Sequence, residues 1–162
     1  MNMSRTLFPF VVVVILIAMS APAAATWSVV GVDPESGQVG VAVASCVPVR
    51  ALDTSNGFEL VALAPGKGAG ISQALYNDNV PPEIERLLAQ NVSAPDIIAA
   101  VTGPDFDSNA EDRQRAVVLL SGQSEGFTGA DNSDVALDAQ GVNVSAQGNI
   151  SPRMGRLTLA LG

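Results

Sequence analysis

Thr26 directly follows Ala23-Ala24-Ala25, and that residue in that place suggests one kind of chemistry. Small residues at the third and first positions before a junction are what a signal peptidase requires. Cleavage after Ala25 would free a threonine that carries both a hydroxyl and its own α-amine. The hydroxyl alone is a weak nucleophile. An α-amine with an unperturbed pKa of about 8 can accept its proton, directly or through one water. Such a centre needs no imidazole. The chain has no histidine and one cysteine, Cys46. A Ser–His–Asp triad, a Cys–His pair, a His-based or Cys-clustered zinc site and an internal disulfide are therefore all excluded. These counts do not establish the mechanism; they remove most of its competitors.

Several residues are candidates to assist Thr26, each with a plainer alternative. Ser45 lies near the far end of the strand expected to pair with the one that Thr26 opens; its alternative is a strand-end hydroxyl bonding its own backbone. Lys67, the only lysine, would depress the amine pKa and stabilise an oxyanion if it stood nearby. In a Gly-rich turn it reads equally as a solvated loop lysine. Gln73 and Asn149 carry amides that could donate to an oxyanion or satisfy buried backbone groups. Asp33 is turn chemistry. Gly66-x-Gly68-x-Gly70 lacks the spacing and the following helix of a nucleotide fingerprint. Asp105 to Asp112 alternates oxygen ligands, but Ala110 and Ala116 stand where an EF-hand needs Gly and Glu. The expectation there is an acidic solvated loop, paired with Arg113 at little energetic consequence. No metal and no cofactor is expected.

The elements that must position these residues begin after an export signal. Arg5 precedes an apolar run from Leu7 to Met19. Its helical length of about 20 Å falls short of the roughly 30 Å hydrocarbon core, so a cleaved signal over residues 1–25 is expected rather than a stable membrane anchor. Residues 26–162 then form one secreted or periplasmic domain, with Cys46 as a buried thiol. Trp27–Val32 and Gln38–Ser45 alternate as strands do, around the turn Asp33-Pro34-Glu35-Ser36-Gly37. Placing Val32 opposite Gln38 puts Thr26 opposite Ala44, with Ser45 and Cys46 just beyond.

Phe58–Ala64 and Ala69–Ala74 are expected as the next strands. Asn79 can cap a helix that enters through Pro81 and Pro82, with Ile84, Leu87 and Leu88 on its apolar face. Ser93-Ala94-Pro95-Asp96 resembles a capping box opening a short helix to Gly103. Strands follow at Arg115–Leu120, Phe127–Gly129, Asp134–Asp138 and Val142–Ala146. Strands, two helices and more strands imply an antiparallel-rich α+β fold.

Hydrophobic residues make up 48% of the chain and charged residues 15%, which excludes a disordered polymer. A formal net charge of −8 with few cations argues against nucleic acid or an anionic membrane as partner.

Thr26-Trp27-Ser28-Val29-Val30, Asp33 to Gly37 and Val39 to Ser45 together resemble the opening of the domain-of-unknown-function 1028 family. Further matches are Gly66-Lys67-Gly68-Ala69-Gly70 with Gln73-Ala74, Asp112-Arg113-Gln114, Phe127-Thr128-Gly129-Ala130 and Gln147-Gly148-Asn149. The resemblance implies an αββα sandwich of the N-terminal-nucleophile-hydrolase type, with Thr26 as nucleophile and its amine as base. It implies an unassigned small-molecule or peptide substrate. After Asn149 the sequence departs from the family pattern, so a fold incomplete at the C-terminal end is expected. A homo-oligomer could then supply the absent layer. The alternative is an inactive secreted binding or structural module on the same fold.

Overall fold

The computed structural model describes residues 26–45, 58–75, 77–133 and 135–149. The expected signal segment, Cys46 and the closing segment from Ser151 lie outside the described residues.

Alternating Val, Ala and Gly residues build the first hairpin, β1 (Thr26–Asp33) and β2 (Gln38–Ser45). The register differs by one residue from the sequence expectation: Asp33 pairs with Gln38, and Thr26 pairs with Ser45 rather than Ala44. The cause is the turn. Asp33 remains in the strand, so the loop contains only Pro34 to Gly37. The Asp33 carboxylate accepts from Glu35 N at 3.0 Å and from the Ser36 hydroxyl at 2.5 Å. These bonds hold its carboxyl below the usual range, the Ser36 bond contributing most. Gly37, at φ 73°, donates its N–H back to Asp33 O at 2.8 Å. A four-residue loop with glycine in the left-handed region thus closes where a five-residue loop was expected.

Two further strands complete this sheet, β7 (Ala136–Gly141) and β8 (Val144–Asn149), in the antiparallel order β2-β1-β8-β7. Val142 is 82% exposed and belongs to their turn, not to a strand as expected, because Asn143 adopts φ 66°. The second sheet has the order β3-β4-β5-β6. Its strands are β3 (Val61–Ala64), β4 (Gly68–Gln73), β5 (Gln114–Leu119) and β6 (Ser124–Thr128). Phe58–Leu60 forms a 3₁₀ turn instead of extending β3, whose pairing with β4 stops at Val61↔Ile71.

One face of the second sheet meets the first sheet through Val30, Ala69, Ile71, Ala116 and Val118. Its other face carries two helices, α1 (Val80–Ala89) and α2 (Ala94–Thr102). In α1 the buried Ile84, Leu87 and Leu88 recur at helical spacing, as expected. Asn79 sits at the cap position but makes no side-chain cap bond, since its backbone is already helical. Ser93 does cap α2, accepting from Asp96 N at 3.4 Å. Gly70 lets α1 approach: a Cβ there would lie 2.8 Å from Ile84 Cγ2. The described residues are α+β: two antiparallel sheets face to face, with helices on one outer side.

Candidate active site

Alternation along β1 turns Thr26, Ser28 and Val30 toward the opposing sheet, all three buried. Directly opposite on β8 stand Asn149, Gln147 and Ser145, also buried. The layer between the sheets therefore changes character along its length. Toward the hairpin it is apolar; toward Thr26 it is built of hydroxyls and carboxamides. Burying polar groups costs free energy unless they are partnered, so this end is held by hydrogen bonds.

Thr26 sits between two polar neighbours. Its Oγ1 lies 2.9 Å from Ser45 Oγ on β2, and its partner across β8 is Asn149. Thr26 is 8% exposed and Asn149 1%. From the opposing sheet Gln114 reaches across: its Nε2 faces Thr128 Oγ1 at 3.0 Å, Leu137 O at 3.1 Å and Gly148 O at 3.3 Å. Its Oε1 accepts from Gln73 Nε2 at 2.9 Å. Gln147 Nε2 donates to Arg115 O at 2.7 Å. Even so, among the described residues Ser28 Oγ, Gln73 Oε1, Ser145 Oγ, Gln147 Oε1 and Asn149 Oδ1 are buried without a partner. An unmade hydrogen bond on a buried group costs about 1–3 kcal/mol. Several such groups at one end of a small domain mark that end as a place where stability gives way to something else.

Beside this end lies a cleft of about 300 Å³, lined in part by Ala74, Leu75, Asp112, Asp131 and Asn149. The chain bends into it immediately after Gln73, where Ala74 takes φ 77°. A left-handed conformation is disfavoured for a residue with a Cβ, by roughly 1–2 kcal/mol. The bend is anchored by charge. Arg113 Nη1 donates to Leu75 O, and Arg113 Nε stands 2.8 Å from Asp107 Oδ2. The same carboxylate oxygen accepts from Arg115 Nη2, while Arg115 Nη1 donates to Val101 O.

Asp107 is thus no member of a solvated acidic loop, as the sequence suggested; it is buried between two arginines. Burial pushes its carboxyl up, but hydrogen bonds from Asn77 and Asn109 and the two guanidinium charges together hold it below its usual value. Burial pulls Arg115 down, with Asp107 opposing. The acidic stretch could not reveal this, because Arg115 reads in sequence as one residue of a Val-rich strand.

The structure brings Thr26, Ser45 and Asn149 together, and links Gln73 to them through Gln114 and Gly148 O. Lys67 stands apart. Its Nζ donates to Asn91 Oδ1 at 2.7 Å. Its carbonyl accepts from Leu120 N, while Gly122 O accepts from Asn143 N and Asn143 O accepts from Val32 N. Lys67 therefore lies at the hairpin end of β1, about 20 Å from Thr26 at roughly 3.3 Å per strand residue. It acts as the loop lysine of the alternative reading.

Ser28, Gln114 and Gln147 belong to the site although their sequence context did not single them out. The available signal was Ser145-x-Gln147-x-Asn149: polar residues at every second position of a strand in a Val-rich protein. No group of three or more His, Cys, Asp or Glu that could hold a metal occurs among the described residues.

The model of a family of unknown function, DUF1028, matches residues 26–154. A crystal structure of protein SPO2555 from Silicibacter pomeroyi, described with the same family, is similar at 27% identity and a TM-score of 0.67. The match covers 78% of this chain and 53% of that one, so this chain spans about half the length of that relative. No curated protein matches the sequence.

Proposed function

The chain belongs to the family of unknown function DUF1028, and from that premise we propose an exported N-terminal-nucleophile hydrolase of an amide or related acyl bond. Signal cleavage after Ala25 frees Thr26. Its Oγ1 attacks the acyl carbon and its α-amine takes the hydroxyl proton. The tetrahedral oxyanion collapses, the C–N bond breaks, and the ammonium returns the proton to the leaving amine. Water then hydrolyses the Thr26 ester, with the amine again as base. Ser45, 2.9 Å from Thr26 Oγ1, orients the nucleophile. The Asn149 carboxamide, turned so that its NH₂ faces the acyl oxygen, is the side-chain donor to the oxyanion.

The observation that carries this reading is the polar end of the inter-sheet layer, converging on the residue at which the family match begins. Two facing antiparallel sheets with helices on one outer side support the αββα sandwich as the complete architecture. A second helical layer, a secreted or periplasmic location and a homo-oligomer are parts of the same proposal.

Intact-mass analysis and N-terminal sequencing of the secreted protein test the prerequisite. Thr26 must be the first residue, and a β-lactone must label it. A mature chain that starts elsewhere refutes the reading, as does full turnover by Thr26→Ala. Ligand binding that survives Thr26→Ala without any labelling of the parent protein would instead identify an inactive binding module.

A further inference from the structure

The cleft beside Thr26 carries charge that no other described residue pairs with. Asp112 and Asp131 both line it, both are exposed, and neither carboxylate has an ion-pair or hydrogen-bond partner among the described residues. Their placement is built. Gly129 N donates to Arg113 O at 2.9 Å and Asp131 N to Glu111 O at 3.0 Å. Asn132 Nδ2 donates to Asp112 O at 3.1 Å, and Ala130 N to Glu111 Oε2 at 2.7 Å. Gly129 is required for this docking, because a Cβ there would collide with the Glu111 backbone. Four hydrogen bonds thus clamp the loop after β6 onto the segment before β5 and hold two carboxylates on one concave surface. The arginine nearest in sequence, Arg113, is engaged by Asp107 and by Leu75 O.

Acidic residues alone would not make a site. The second observation is Asn149, which lines the same cleft, is 1% exposed, and has a buried Oδ1 with no partner among the described residues. With the carboxamide turned as proposed above, that unpartnered position holds the NH₂, a donor for a ligand carbonyl on the strand paired to Thr26. A ligand engaging Asn149 extends along a cleft whose charged lining residues, among the described residues, are both negative.

We propose that this cleft selects a cationic substrate: an acyl compound bearing an ammonium or guanidinium group that Asp112 and Asp131 receive while its carbonyl approaches Asn149 and Thr26. The proposal rests on the hydrolase reading for the fate of the acyl bond, but not for binding. The lysine-like cation is favoured over a neutral group of the same length because two carboxylates without a partner among the described residues attract it without first giving up another partner.

The test compares N-acetyl-lysine methylamide with N-acetyl-norleucine methylamide, titrated into the secreted protein and into its Thr26→Ala variant. The lysine derivative is expected to bind at least about tenfold more tightly in both, with the preference shrinking as salt is raised. Asp112→Asn and Asp131→Asn should each remove most of the preference. Glu35→Gln, at the opposite end of β1, should leave it intact. Equal binding of the two probes, or a preference that survives both aspartate substitutions, overturns the proposal. Should either variant fold poorly, the other variant and the salt titration still decide. A charge preference in a protein whose Thr26 resists β-lactone leaves this site standing and removes the hydrolase; a labelled Thr26 without charge preference does the reverse.

Discussion

Replacing Asp107 by Asn keeps the shape of the side chain and removes its charge, and the consequence follows from its surroundings. Arg115 is fully buried, and its one charged hydrogen-bond partner among the described residues is Asp107. Arg113, also buried, stands on the same oxygen. Asp107→Asn therefore leaves two guanidinium groups in the interior with Val101 O and Leu75 O as acceptors and no counter-charge among the described residues. Breaking a buried pair from one side costs about 3–5 kcal/mol. For a domain of this size that corresponds to roughly 10–20 °C in melting temperature.

The effect also has a defined pH dependence. The folded-state pKa of Asp107 is depressed, so its stabilisation is present above the unfolded value near 4 and is lost as pH falls through the folded value. Urea denaturation of both proteins at pH 7 should show the full difference. The two curves should approach one another as the pH drops below 4 and the unfolded parent takes up the proton, and should meet below the depressed folded value, where Asp107 in the folded parent is neutral as well. Arg115→Met added to Asp107→Asn should recover part of the loss, since the orphaned charge then disappears. A single-variant cost below about 1 kcal/mol at pH 7, or a difference that does not shrink in acid, refutes the reasoning.

Ser45→Ala removes the hydroxyl 2.9 Å from Thr26 Oγ1; turnover of an assigned substrate should fall about 3- to 10-fold, the worth of one hydrogen bond, with little change in melting temperature. Lys67→Ala should leave β-lactone labelling of Thr26 unchanged, because Lys67 bonds Asn91 at the other end of the sheet. Gly70→Ala forces a methyl to within 2.8 Å of Ile84 Cγ2 and 3.0 Å of Ala116 O. It should destabilise the domain by about 1–3 kcal/mol in urea denaturation, and a neutral result would mean that α1 packs less closely on β4.

Elements whose information is local were legible along the chain. The capping box at Ser93, the apolar stripe of α1 and the alternation of β1 and β2 each depend on residues within a few positions of one another. The type of each side chain also made Thr26, Ser45, Lys67, Gln73 and Asn149 candidates, since it states what chemistry each can offer. Register was not legible to within one residue. It depends on whether Asp33 spends its backbone on the strand or the turn, and that is settled by its bonds to Gly37 N and the Ser36 hydroxyl. That one residue decides whether Thr26 faces a methyl or a hydroxyl across the ladder.

Residue types and near-neighbour patterns thus determined the α+β class, the absence of imidazole chemistry and the identity of the candidate nucleophile. Tertiary structure alone decided which candidates meet. Gln114 and Gln73 come from one sheet and Asn149 from the other, Asp107 finds its arginines across a loop, and Lys67 is carried to the far end of β1. The physical reason is that sheet stacking brings together groups far apart in sequence, and burial then sets the strength of their interactions. Neither quantity is a property of any short stretch of chain.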